Sequence, residues 1–341
     1  HFVGGESIEK FEKNASSFCG SKHCVAMNSG TDALVAAMHS LGIGKDDEVL
    51  TPPNSFVAST SSIVHLGAKP VFIEVSEDQN IDVNIIKHFI TKKTKAIMPV
   101  HLTGRMANME VISEIANKYN LFVIEDAAQS IGSKYKGKLS GSIGDIGCFS
   151  AHPLKNLNAC GDAGFLITNN DRISKFIKSI RNHGLIDRNE VAQFGYVSRM
   201  DTLQAAILNY RLKNLPSVIK KRRKNAEQYF NLIDSDKFLL PFEKKYEFNT
   251  YHTFVIQTEK RDALKNFLLN KGIETSIHYP IPIHMQPASK MLNYKKGDFP
   301  ITEKQSETIL TLPIHQYLED HEIQYISKCL NEFYKSNAHR N

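Results

Sequence analysis

Between residues 24 and 169, short apolar runs alternate with amphipathic stretches, and that rhythm leaves few folds open. Apolar runs fall at residues 24–27, 48–51, 70–75, 96–100 and 121–124, with further strand-like runs at 148–150 and 164–168. Between them, residues 31–41, 55–66, 83–90 and 109–119 carry apolar side chains at helical spacing. Strands that alternate with helices need crossover connections, which build a mostly parallel sheet with helices on its faces. The reading is an α/β domain.

The pattern then changes. A helix carrying Ile173, Phe176, Ile177 and Ile180 is followed by a longer helical stretch from near Met200 to about Leu232. Pro216 lies inside it, where a missing N–H and a steric clash predict a break or kink. Acidic and proline residues at 234–243 mark a boundary. Beyond it, strands are predicted at 252–257 and 276–279, and helices at 263–269 and 319–333. The expected organisation is a large domain over residues 1–235 and a smaller C-terminal α+β domain over 236–341. A chain of 341 residues is long enough for two such cores.

Charge and cysteine content narrow the function classes. The net charge is +6, a mild bias that suits anionic ligands such as phosphates and is too diffuse to argue for nucleic acid. The dense run Lys220, Lys221, Arg222, Arg223, Lys224 sits in a helical pattern and reads as a solvated helix face. Cys19, Cys24, Cys148, Cys160 and Cys329 are odd in number and have no CxxC spacing, so neither a disulfide framework nor a zinc site is expected. A reducing, cytoplasmic location fits. No apolar stretch approaches the roughly 20 residues of a membrane span, and no signal peptide is visible. The chain opens on His1 and reads as mid-protein from its first residues, so a missing N-terminal piece is expected.

In parallel α/β sheets, ligands sit beyond the carboxyl ends of the strands. The polar residues there are Asn28-Ser29-Gly30-Thr31, His101, Glu125-Asp126-Ala127-Ala128-Gln129 and Ser150. Gly30-Thr31 opens a helix after a strand, which makes an anion site or an ordinary capped turn. Asp126 at a strand end could bind a metal, cap a helix or pair with a cation. Lys155 follows a strand in a loop with Ser150, His152 and Asn156. Alone it reads as a surface lysine.

Together these residues say more. Pyridoxal phosphate (PLP) needs a phosphate anchor, a carboxylate for its pyridine nitrogen, a lysine for its aldehyde and a flat group against its ring. Gly30-Thr31, Asp126, Lys155 and Phe56 supply all four in strand order. A nicotinamide site would want G-x-G-x-x-G after the first strand, and Asn28-Ser29-Gly30-Thr31-Asp32-Ala33 lacks it. No metal site is expected.

Over nearly its whole length the chain resembles the DegT/DnrJ/EryC1/StrS sugar aminotransferases, which have PLP fold type I. The resemblance rests on Phe11-Glu12, Asn28-Ser29-Gly30-Thr31-Asp32-Ala33-Leu34, Ser55-Phe56-Val57-Ala58, Pro99-Val100-His101-Leu102-Thr103-Gly104, Glu125-Asp126-Ala127-Ala128-Gln129, His152-Pro153-Leu154-Lys155-Asn156-Leu157, Arg181-Asn182-His183-Gly184, Ser198-Arg199-Met200-Asp201 and His278-Tyr279-Pro280.

The resemblance implies Lys155 as the Schiff-base lysine, Asp126 as partner of the pyridine nitrogen and Gln129 beside the cofactor's phenolic oxygen. It implies Gly30, Thr31 and Ser150 as the phosphate cradle and Phe56 as the ring-stacking residue. Arg199, Tyr279 and His284 fall in segments that look like substrate contacts. The implied activity is transfer of an amino group from an amino acid, glutamate in most of the family, to a nucleotide-linked keto sugar. A homodimer with shared sites is implied too. Val197 departs from the family, which usually places there an asparagine that reaches across the dimer to the cofactor phosphate. The loop at residues 155–164 looks more like members acting on 3-keto than on 4-keto sugars. Members acting on cyclitols or making an aminohydroxybenzoate are not excluded. A non-catalytic regulatory paralogue is disfavoured by retention of both Asp126 and Lys155.

Overall fold

The computed structural model describes residues 2–338. Seven strands form the central sheet: β1 (His23–Met27), β2 (Glu48–Thr51), β3 (Lys69–Phe72), β4 (Thr94–Ile97), β5 (Phe122–Asp126), β6 (Ile146–Ser150) and β7 (Gly164–Thr168). Their spatial order is β1-β7-β6-β5-β4-β2-β3. The β3–β2, β2–β4, β4–β5 and β5–β6 pairs are parallel, and β7 runs antiparallel to both its neighbours. The sheet is thus mostly parallel, as its continuous apolar strands predict.

Helices cover both faces: α1 (Glu6–Cys19), α2 (Gly30–Ser40), α3 (Val57–His65), α4 (Met109–Tyr119), α5 (Asp171–Ile180) and α6 (Thr202–Leu232). The side-chain alternation of the strands sends apolar groups into separate cores on the two faces. Cys24, Ala26, Phe165 and Ile167 join α1 and α6 on one face. Val25, Met27, Cys148 and Leu166 join α2 and α5 on the other. Leu208, Leu212, Leu215 and Ile219 of α6 are buried in the first core. That packing carries the helix through Pro216 as one element, so of the expected break or kink the break does not occur.

Beyond α6 the chain forms β8 (Phe254–Gln257), α7 (Arg261–Asn270), α8 (Pro300–Thr308), β9 (Ile309–Leu312) and α9 (Asp320–Ala338). Strands β8 and β9 pair antiparallel. Their core includes Ala226, Tyr229 and Ile233, so α6 serves both halves of the molecule.

Three local expectations are corrected. Residues 83–90 form only a single 3-10 turn, Ile86–Phe89. The stretch 276–279 is not a strand. It makes one isolated bridge, Ser276 to Thr311. Helix α1 was missed, although its buried Ile8, Phe11, Ala15 and Cys19 have helical spacing.

Among the described residues, no helix is long and apolar enough to cross a membrane.

Candidate active site

Strand β5 ends in two consecutive carboxylates, Glu125 and Asp126. Neighbours on a strand point to opposite faces, so the two meet different surroundings. Both are buried. Glu125 Oε2 accepts from His101 Nε2 at 2.8 Å and from the Gly141 N–H at 2.8 Å. Its Oε1 accepts from the Ile143 and Gly144 N–H groups at 2.8 and 2.6 Å. The Ala107 N–H donates to His101 Nδ1, so the ring proton sits on Nε2 and points at Glu125. Burial pushes the Glu125 carboxyl up, but His101 and the backbone donors together hold it below its usual value.

Asp126 has fewer partners. Ser59 Oγ on α3 donates to Oδ2 at 2.7 Å, and the Ala128 N–H to Oδ1 at 3.2 Å. Burial raises this carboxyl. Ser59, Ala128, Lys155 and His101 pull it down without offsetting the burial.

Lys155 comes from the next strand. The loop after β6 is closed by two bonds, Ala151 N–H to Ala163 O and Ala159 N–H to Ala151 O, each 2.8 Å. The Lys155 N–H turns back to His152 O, and Asn156 Nδ2 donates to Thr250 O. These ties hold the lysine half-buried. Burial lowers its pKa to about 8, with the charge of Asp126 acting the other way. Among the described residues its amine makes no hydrogen bond or ion pair. Its charge also reaches His252 and His278. Burial and then the lysine's charge push both imidazoles down.

The start of α2 lies close by. Ser29 caps the helix, accepting from the Asp32 N–H through its hydroxyl and from the Ala33 N–H through its carbonyl. The Gly30 and Thr31 N–H groups are left with no partner among the described residues, as first-turn donors are. A Cβ on Gly30 would come within 2.8 Å of Ser150 Cβ, so only glycine allows this approach. Gly30, Thr31 and Ser150 therefore converge at the carboxyl ends of β1 and β6.

Phe56 leads into α3 with its ring exposed and 5.8 Å from that of Tyr279. Gln129 Oε1 accepts from the Thr103 N–H at 2.8 Å, and its Nε2 reaches Tyr279 Oη at 3.5 Å. Burial, then Asp126, raise the Tyr279 hydroxyl to about 12. The C-terminal half thus delivers Tyr279 to the site.

The other two expected substrate contacts sit apart. Arg199 donates to Asn182 Oδ1 at 2.9 Å and makes no hydrogen bond to this cluster. His284 is buried against Phe299, with Nε2 3.0 Å from Glu303. Sequence reading missed Ser59 and His252. The available signal for Ser59 was its place one helical turn after Phe56.

The donor set fits the expected cofactor. Two free N–H groups at a helix N-terminus suit a phosphate. A buried, poorly compensated carboxylate suits a cationic ring nitrogen. A lysine amine of lowered pKa suits an aldehyde. An exposed aromatic face suits a flat ring. Among the described residues, no group of three or more His, Cys, Asp or Glu side chains could hold a metal ion.

The family model described as the DegT/DnrJ/EryC1/StrS aminotransferase family matches residues 1–331. The chain belongs to this family. Among DegT/DnrJ/EryC1/StrS relatives, a Geobacillus stearothermophilus protein named "Pleiotropic regulatory protein" is 39% identical over 338 residues, covering 98% of this chain and 91% of its own. The Pseudomonas aeruginosa UDP-2-acetamido-2-deoxy-3-oxo-D-glucuronate aminotransferase is 36% identical over 330 residues, 96% of this chain and 91% of its own. The solved Streptomyces venezuelae DesV, in complex with a ketimine intermediate, superposes with a TM-score of 0.95 at 34% identity, over 98% of this chain and 90% of its own. The ntda protein of Bacillus subtilis, with bound cofactor PMP, gives 0.91 at 32% identity, over 98% and 78%. The fold is that of PLP-dependent enzymes of fold type I, and the chain is an aminotransferase.

Proposed function

We propose that this aminotransferase uses PLP to carry an amino group from an amino acid, glutamate being the expected donor, to a nucleotide-linked 3-keto sugar. One observation carries the reading. Two strands bring Lys155 and Asp126 to the same space, where burial lowers the lysine to about 8 and raises the carboxyl.

When bound, PLP supplies an aldehyde carbon and a ring that withdraws electrons from the bond being broken. The protein does the rest. Lys155 has a neutral amine in a useful fraction near neutral pH. Its Nζ can condense with a carbonyl carbon, whose oxygen leaves as water, and once freed it can take or give a proton, a role that contributes typically about 10²–10⁴-fold. Asp126 would keep a proton on the ring nitrogen. The Gly30 and Thr31 N–H groups and Ser150 would hold the phosphate. Phe56 would lie against the ring, with Gln129 and Tyr279 beside it.

The 3-keto assignment is supported by the 3-oxo sugar in the name of the Pseudomonas relative and by the loop at residues 155–164. A dimer is part of the proposal. Residues 182–198 leave the body as a loop bridged at Asn182–Val197 and Leu185–Val191, with Ile186, Val191, Phe194 and Val197 exposed. Such an apolar excursion suits a second copy. Arg199 at its base would then meet substrate from the neighbour's side. Cys19, Cys24, Cys148 and Cys329 are buried and free, which supports a reducing compartment such as the cytoplasm. We place the boundary between the two domains near residue 235.

The test is direct. Borohydride should fix the cofactor on Lys155, as read by peptide mass spectrometry, and Lys155→Ala should abolish turnover. An alanine variant with wild-type rates overturns the proposal. Matched 3-keto and 4-keto nucleotide sugars decide the ketone position, with faster turnover of the 3-keto isomer expected. An absorbance change on adding glutamate checks the donor half of the reading.

A further inference from the structure

A cleft of about 1010 Å³ lies beside the middle of α6, and Lys155 is not among the residues that line it. Its walls are aromatic. Phe18 comes from the end of α1, Phe230 from α6, and Phe248 and Tyr251 from the segment leading to β8.

The cleft is also where the basic run of α6 goes, and the run is not uniformly solvated. Lys221 and Lys224 pair with Asp320 at 3.4 and 2.8 Å. Arg222 is buried and donates to the Tyr251 and His252 carbonyls, each at 3.1 Å. Arg223 pairs with Glu243 at 2.8 Å and lies 4.1 Å over the Phe248 ring. Two lining cations remain without a carboxylate. Lys220 is exposed with no partner among the described residues, and Lys134 only overhangs Phe248, at 5.7 Å. The lining carboxylates are Glu243, already taken by Arg223, and the exposed Glu227. The cleft thus joins an aromatic floor to a rim carrying unmatched positive charge.

We propose that this cleft is a second binding site, for a small molecule that joins an aromatic or apolar body to a negatively charged group, and that its occupancy alters turnover at Lys155. The coupling rests on the aminotransferase reading above. Its physical route is short. Tyr251 lines the cleft, the residue before it, Thr250, accepts through its carbonyl from Asn156, the neighbour of Lys155, and Arg222 ties the Tyr251 and His252 carbonyls to α6. A ligand against Tyr251 therefore presses on the wall that the two spaces share.

The probe is 8-anilino-1-naphthalenesulfonate, an aromatic body with one negative charge, titrated by fluorescence into the cofactor-loaded protein. Saturable binding is expected, weakening with salt as exposed charges are screened. The double variant Lys134→Glu, Lys220→Glu should raise its Kd by about tenfold, the scale of two exposed charge contacts. Lys134→Arg, Lys220→Arg and the distant Lys87→Glu should leave it within about twofold. Neutral N-phenyl-1-naphthylamine should not respond to the charge reversal. A double glutamate variant that binds the sulfonate like wild type overturns the site. For the coupling, saturating probe should change wild-type kcat by at least about twofold and leave that of the double variant unchanged. An unaltered wild-type kcat overturns that part. If no keto sugar is turned over by any form, the keto-sugar proposal fails while the binding result stands.

Discussion

Glu125 and Asp126 are neighbours in sequence, equally buried, and opposite in character. Glu125 faces a turn at residues 141–144 that offers three N–H groups, with His101 supplying a fourth donor. Asp126 faces α3 and the lysine loop and receives two donors. One carboxylate is saturated by the fold and held below its usual pKa, and the other is pushed above it. A buried charge left partly unmatched costs stability, so its persistence suggests a partner the fold itself does not contain. The lesson is that burial alone does not mark a functional carboxylate. The count of donors does.

The largest effect should come from neutralising each acid in turn. Glu125→Gln places an amide NH₂ where the carboxylate accepted N–H groups, so donor meets donor in a closed site. We expect a loss of about 3 kcal/mol in urea unfolding, the scale of breaking a buried pair. The pH dependence follows in sign. The folded-state pKa of Glu125 lies below its unfolded value of 4.5. Its contribution to stability is therefore present above pH 4.5 and lost as pH falls through the folded value. Glu125→Gln should lack that acid slope. Asp126→Asn should behave oppositely. It keeps an oxygen for the Ala128 N–H, and the Ser59 hydroxyl can turn to accept. Its folded pKa lies above the unfolded 3.8, so the charged side chain costs stability as pH rises, and the amide removes that cost. We expect stability within about 1 kcal/mol of wild type and activity at least about 10²-fold lower. Equal effects of the two substitutions on stability and rate would break the comparison.

This contrast was only half legible in the sequence. Gly30-Thr31, Asp126 and Lys155 each follow an apolar run, and the polar residues that close a continuous apolar run show where a buried strand ends. Their convergence follows from the parallel order of the strands, which the alternation of elements also fixes. Pairings across the chain were hidden. Ser59 meets Asp126 across 67 positions and His101 meets Glu125 across 24, and no local pattern announces either. His284 is held by a partner that the sequence did not announce. Its type and position suggested a substrate contact, but Glu303 on α8 claims its Nε2, and that helix was not anticipated. Helix α6 was legible in length and misjudged at Pro216, because one lost backbone bond weighs less than four buried leucine and isoleucine side chains.

A middle-sized effect sharpens the comparison at Lys155. In cofactor-free protein the lysine should acylate with a midpoint near pH 8, against 10.5 for an ordinary lysine. Mass spectrometry of the Lys155 peptide across a pH series reads this. Asp126 is the carboxylate that raises the lysine's pKa, so Asp126→Asn should move the midpoint below 8. Glu125→Gln, on the other face of the strand, should leave it in place. A shift in the Glu125 variant as large as that in the Asp126 variant would mean that the two faces are not electrically separate.

The smallest effect concerns Ser59, which supplies half of the little that Asp126 receives. Its hydroxyl stabilises the charged carboxylate, so Ser59→Ala should let the Asp126 pKa rise further. The side chain is buried and small, so the cost in stability should be about 1 kcal/mol. The informative readout is cofactor affinity against pH. A protonated Asp126 cannot pair with a cationic ring nitrogen, so binding should weaken as pH falls, and the variant should reach that limb at a higher pH than wild type. Near pH 8 the two should bind within about tenfold of each other, one hydrogen bond being worth no more. Superimposable pH limbs would show that Ser59 only packs α3 against the sheet. The two-donor count that distinguishes Asp126 from Glu125 would then lose its electrostatic meaning.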